Sequence, residues 1–140
     1  MTAQTASHGK FGVALVIVDV QNDFLEGGAL AVQDANQVLD PISKLIKQNG
    51  HWDCIVATQD FHPPRHISFA SSHEGYEPLQ DKDVPHPLLA DETVKQRLWP
   101  EHCIQGTKGV ELQPQLLDRL KELRLDRPGD VAIIRKVCIP

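Results

Sequence analysis

Apolar residues recur along this chain in two rhythms, and the alternation between them lays out an architecture. Residues 13–20 read Val-Ala-Leu-Val-Ile-Val-Asp-Val, a nearly unbroken β-branched run that predicts a strand buried on both faces. Residues 54–58 and 131–134 are shorter runs of the same kind and predict a second and a third strand. Between the first two, Val38, Leu39, Ile42, Leu45 and Ile46 follow the spacing of an amphipathic helix over residues 34–48. Asp34 is placed to cap its start, Asn49-Gly50 to end it, and Pro41 is tolerable near the first turn. Leu112, Leu116, Leu117, Leu120 and Leu123 repeat the helical stripe ahead of the third strand. Strand, helix and strand make a βαβ unit, so the first two strands are expected to be parallel neighbours with a right-handed crossover. From residue 63 to residue 109 neither rhythm persists, which predicts a long irregular insertion. Within it, residues 98–103 (Leu-Trp-Pro-Glu-His-Cys) read as anchored, because Trp99 before Pro100 is costly to leave in solvent.

Composition narrows this picture to one domain. A chain of 140 residues supports a single core. Residues 1–10 are polar and read as a loose tail, leaving 11–140 as the domain. A net charge of -5 and a pI near 5.7 argue against general affinity for nucleic acid or an anionic membrane and favour a small or neutral ligand. Three cysteines without paired spacing give no disulfide framework. No stretch has the apolar length of a signal or membrane segment, so the expected location is cytoplasmic, with nucleus and peroxisome as alternatives.

The charged residues that end the apolar runs change the picture most. Asp19 interrupts the first run, Asp60 follows the second and Lys136 follows the third. In a parallel sheet all three fall at the carboxyl edge, where open α/β folds bind their ligands. An unpaired carboxylate in such a run is expensive, so Asp19 calls for a partner, a task, or a place in a capped turn. Asp60 and His62 stand two apart at a strand end, which turns an oxygen and a nitrogen to one side and suits a divalent metal; a solvated Asp and a surface His would leave the same pattern.

Three motifs then carry a resemblance. Val-Asp-Val-Gln-Asn-Asp-Phe at 18–24, Thr-Gln-Asp-Phe-His-Pro-Pro-Arg-His-Ile-Ser-Phe-Ala at 58–70, and Leu-Trp-Pro-Glu-His-Cys-Ile-Gln-Gly-Thr at 98–107 closely resemble nicotinamidases, fungal type, of the isochorismatase-like hydrolase superfamily. The resemblance runs from about residue 14 to residue 136. It implies an α/β, three-layer fold with a central, mostly parallel sheet flanked by helices. It also implies hydrolysis of nicotinamide to nicotinate and ammonia, within NAD salvage, through a thioester on a cysteine. Carried over by position, Asp19 is the general base, Lys136 stands between acid and thiolate, and Phe24 is a wall of the ring pocket. Asp60, His62 and His102 hold a divalent metal, zinc being the first choice. His66 is either a further ligand, an outer partner of the ligands, or a plain loop histidine.

The chain departs from that family at its end. The family's nucleophilic cysteine lies on a later strand-to-helix turn, and nothing here matches that segment. Cys54 opens its strand at the opposite edge, Cys103 sits where the family's cysteine is structural, and Cys138 follows Lys136 by two residues. Val137 stands where the family usually has glycine. The expectation is therefore a C-terminally incomplete hydrolase domain, with only its N-terminal part present and an uncovered sheet that favours poor stability or self-association. Homo-oligomerisation is left open. Two alternatives stand beside it: a catalytically silent metal-binding fragment, and a related isochorismatase-like amidase with another substrate.

Overall fold

The computed structural model describes residues 12–48 and 51–136. The N-terminal tail, the Asn49-Gly50 helix stop and Cys138 lie outside the described residues.

The three apolar runs form one parallel sheet. β1 (Ala14–Ile17) pairs with β2 (Cys54–Asp60), and β2 pairs with β5 (Val131–Lys136), so β2 is central. The first two strands are thus parallel neighbours, as the βαβ pattern predicts. α1 (Leu39–Lys47) and α2 (Pro114–Asp126) supply the apolar cover, with Ile46, Leu116, Leu120 and Leu123 packed against Ile17, Ile55, Ala57 and Val131. α2 starts where its sequence says it should. Pro114 takes the first turn, where no N–H is needed, and the Gln113 side chain accepts the Leu116 N–H at 2.8 Å.

Three expectations need correction. The first run is not buried on both faces: Ile17 is 3% exposed, but Val16 is 55% and Val18 63% exposed. The helices cover one face only, and on the other the row Val16, Val56, Ala132, with Ile134 beside it, meets no layer among the described residues. Asp34 does not cap α1. It adopts a left-handed φ of +58°, makes no capping hydrogen bond, and leads into a 3-10 turn (Ala35–Val38) that precedes the α-helix. Third, the stretch 63–109 is not wholly irregular. It contains an antiparallel hairpin of β3 (Asp81–Pro85) and β4 (Thr93–Arg97). The hairpin lies on the surface with only Val84 buried, so it lacks the apolar alternation by which strands are read from sequence. No helix among the described residues is long and apolar enough to cross a membrane.

Candidate active site

Strand register brings the first pair of charges together. Asp60 and Lys136 are direct partners at the last position of the β2–β5 ladder, and Lys136 Nζ lies 2.9 Å from Asp60 Oδ1. The same ammonium lies 2.5 Å from Asp19 Oδ2. Asp19 stands just past β1 with φ +51°, a region that costs an L-residue about 1–3 kcal/mol. It is held there from two sides. Its carbonyl accepts the Gln21 N–H at 2.8 Å, while Thr58 Oγ donates to Asp19 Oδ1 at 2.7 Å and accepts the Asp19 N–H at 3.2 Å. The strained turn therefore aims a carboxylate at Lys136.

Asp60 is fixed through its main chain as well. Gln21 is fully buried, and its side-chain amide donates to the Asp60 carbonyl at 2.8 Å and accepts the Asp60 N–H at 2.8 Å. The second amide hydrogen goes to Val110 O, so the buried carboxamide has partners on both its atoms. In effect, Gln21 extends the sheet ladder by one side chain.

The other oxygen of Asp60 faces two imidazoles. His62 Nε2 lies 3.7 Å and His102 Nε2 4.0 Å from Asp60 Oδ2, too long for hydrogen bonds. One ligand atom each from Asp60, His62 and His102 fall within 4.8 Å of one another. Oxygen and nitrogen atoms around one small ion at about 2.1 Å stand roughly 3.4 Å apart in a tetrahedron, so the trio would draw together around an ion. The histidines are prepared for this. His102 Nδ1 donates to the Pro100 carbonyl at 2.8 Å, which leaves the Nε2 lone pair toward Asp60. His62 Nδ1 and His66 Nε2 are buried without a hydrogen-bond partner, a deficit that dry packing rarely leaves. The donor set of one carboxylate and two imidazoles fits a divalent cation, and the unpartnered His62 nitrogen is the one turned away from Asp60.

His66 stands outside that trio. Its ring packs on His62 at 4.6 Å between centroids, and its Nδ1 accepts the Ser68 N–H at 3.3 Å. Burial, then the neighbouring His62 and His102, push its pKa down, which favours the neutral ring. Asp60 and Lys136 are instead held in their charged forms. The His62 ring and the Lys136 ammonium outweigh partial burial and hold the Asp60 carboxyl at about 2. Burial works against the charge of Lys136, but its hydrogen bonds to Asp19 and Asp60 win and raise its pKa.

Phe24 lines an open recess of about 450 Å³ beside this edge, together with Leu30, Ala31, Val32, Asp60, Trp99 and His102. Its apolar walls and convergent polar floor are those of a small-molecule site. Leu30, Val32 and the Trp99 side chain escape sequence reading because loop walls have no period. Gln21 and Thr58 escape it too, although Thr58 stands two before Asp60 on β2 and so shares its side of the strand.

Neither described cysteine is placed to serve as the nucleophile at this edge. Cys54 opens β2, at the far end from Asp60. Cys103 is fully buried, and burial followed by the charges of Asp23, Asp60 and Asp19 pushes its thiol up to about 12.

Comparison with known proteins places this arrangement. A nicotinamidase of Acinetobacter baylyi is 44% identical over 88% of this chain and 49% of its own length. The crystal structure of the yeast nicotinamidase bound to the inhibitor nicotinaldehyde superposes with a TM-score of 0.80 at 35% identity, over 90% of this chain and 57% of that one. The pyrazinamidase of Pyrococcus horikoshii in complex with zinc matches with a TM-score of 0.58 at 32% identity, over 92% of this chain and 54% of that one. The chain thus spans about half the length of the curated relatives it matches. The isochorismatase domain pattern matches residues 13–129, a span that holds both the Asp19 turn and the Asp60, His62 and His102 trio, and the chain belongs to the isochorismatase family.

Proposed function

We propose that this chain carries the acid, the lysine and the metal ligands of a nicotinamidase, a metal-assisted cysteine amidohydrolase that releases nicotinate and ammonia from nicotinamide in NAD salvage. One observation carries the reading: Asp60 turns one oxygen to Lys136 and the other to His62 and His102, so the acid pair and the ion-holding trio share a single residue. Asp19 would take the proton of an attacking thiol, and Lys136 would keep both the carboxylate and the thiolate charged. Asp60, His62 and His102 would hold the cation, with zinc the first choice because of the zinc-bound relative. When bound, the cation supplies a Lewis-acidic point that fixes the ring nitrogen of the substrate. Phe24 and Trp99 would flank that ring.

A second reading, a catalytically silent metal-binding protein, is favoured by the state of the cysteines. Among the described residues no thiol can ionise beside Asp19.

Ammonia release from nicotinamide separates the two. Turnover that disappears in Asp19→Ala establishes the hydrolase. Stoichiometric metal with nicotinamide binding but no ammonia assigns the silent reading. Metal analysis by mass spectrometry tests what they share: metal absent from the chain, or retained after Asp60→Ala with His62→Ala, overturns both.

A further inference from the structure

Residues 21–23 leave β1 as a polar tripeptide, yet each side chain is engaged by main chain from elsewhere. Gln21 holds both backbone groups of Asp60, and Asn22 Nδ2 donates to Lys108 O at 2.8 Å. Asp23 Oδ2 accepts the Cys103 N–H at 2.7 Å, and Oδ1 accepts the Ala29 N–H at 3.3 Å. Cys103 follows His102 directly and sits at φ +49°, a conformation an L-residue keeps only when its surroundings impose it. A carboxylate taking a main-chain N–H makes one of the stronger hydrogen bonds available for that purpose.

The fit around Asp23 is close on its far side as well. Asp23 N–H donates to Gly109 O at 3.1 Å, and a Cβ at Gly109 would collide with the Asp23 carboxylate. Two distant parts of the chain, at Cys103 and Gly109, and the nearby Ala29 therefore close on one acidic residue that is not itself among the ligands. Asp60 and His102, which come from different segments, are both registered against the same three residues.

We propose that Asp23 is a positioning residue of the metal centre: by holding the Cys103 N–H it sets where His102 stands relative to Asp60, whose own main chain is set by Gln21. This rests on Asp60, His62 and His102 being the ligands. Partners that orient metal ligands typically contribute 10–100-fold in affinity.

Zn²⁺ titrated into the 140-residue chain, in competition with a chromophoric chelator, tests it, with circular dichroism melts in EDTA recorded alongside. Asp23→Ala is expected to weaken Zn²⁺ binding about 10–100-fold in protein that is folded without metal. Asp23→Asn, which keeps an oxygen for the Cys103 N–H, is expected to recover most of that loss. Gly109→Ala, which displaces the carboxylate without removing it, is expected to weaken binding as Asp23→Ala does. A folded Asp23→Ala protein with wild-type affinity overturns the proposal. Should that variant fail to fold, unchanged affinity in Gly109→Ala overturns it instead. A wild-type chain that takes up no Zn²⁺ overturns the ligand reading together with this one, whereas binding lost in Asp60→Ala but kept in Asp23→Ala overturns this one alone.

Discussion

Two groups of ion pairs in this molecule share their chemistry and differ in their setting. At the sheet edge, Lys136 reaches Asp19 at 2.5 Å and Asp60 at 2.9 Å. In the surface hairpin, Arg97 reaches Asp81 at 2.5 Å and Lys95 reaches Asp83 at 3.4 Å. Distance does not separate the two groups; surroundings do. The carboxylates at the edge are 18% and 22% exposed, against 39% and 65% in the hairpin. At the edge one ammonium serves two acids with imidazoles behind them, whereas the hairpin pairs stand one to one across the strands and support its register. A shared cation in a partly dry setting is an arrangement that chemistry can use. A row of matched exposed pairs is an arrangement that only holds two strands together.

Acid titration should sharpen the contrast most. The folded Asp60 carboxyl lies at about 2, below its ordinary 3.8, so its stabilisation is complete above roughly pH 4 and is lost as pH falls toward 2. The loss is about 2 kcal/mol, read from urea midpoints, and Asp60→Asn should remove that part of the pH dependence. Lys136→Met comes next. It leaves two carboxylates facing each other and should cost about 1–2 kcal/mol at neutral pH, a figure reduced for the exposure of the lysine. That cost should shrink in acid as the carboxylates protonate, whereas a simple packing defect would persist at every pH. Smallest is Asp83→Ala in the hairpin, expected to change stability by less than about 0.5 kcal/mol. A larger change there would remove the distinction between the two groups.

The sheet and its edge were legible because parallel strands leave dense apolar runs, and a charge at the end of such a run stands out. Asp19, Asp60 and Lys136 could be aligned from those runs alone, and strand register then placed Lys136 beside Asp60. The hairpin was hidden for the opposite reason. Its strands face solvent, and their order is written in opposite charges, Asp81 across from Arg97 and Asp83 from Lys95, rather than in apolar alternation. Gln21 and Asp23 read as ordinary loop residues because a polar side chain shows nothing of its burial or partners until the segments that close on it are known. Asp34 misled in the other direction. Its type suits a helix cap, but the 3-10 turn that intervenes takes the helix start away from it.

The bare side of the sheet governs how this chain behaves in a test tube. Among the described residues nothing covers Val16 and Ile134, which stand 55% and 50% exposed, and sulfate or similar excluded salts strengthen the tendency of such apolar surface to stick to its own kind. Solubility will therefore set the usable concentration before unfolding does, and light scattering that climbs steeply with ammonium sulfate will be its signature.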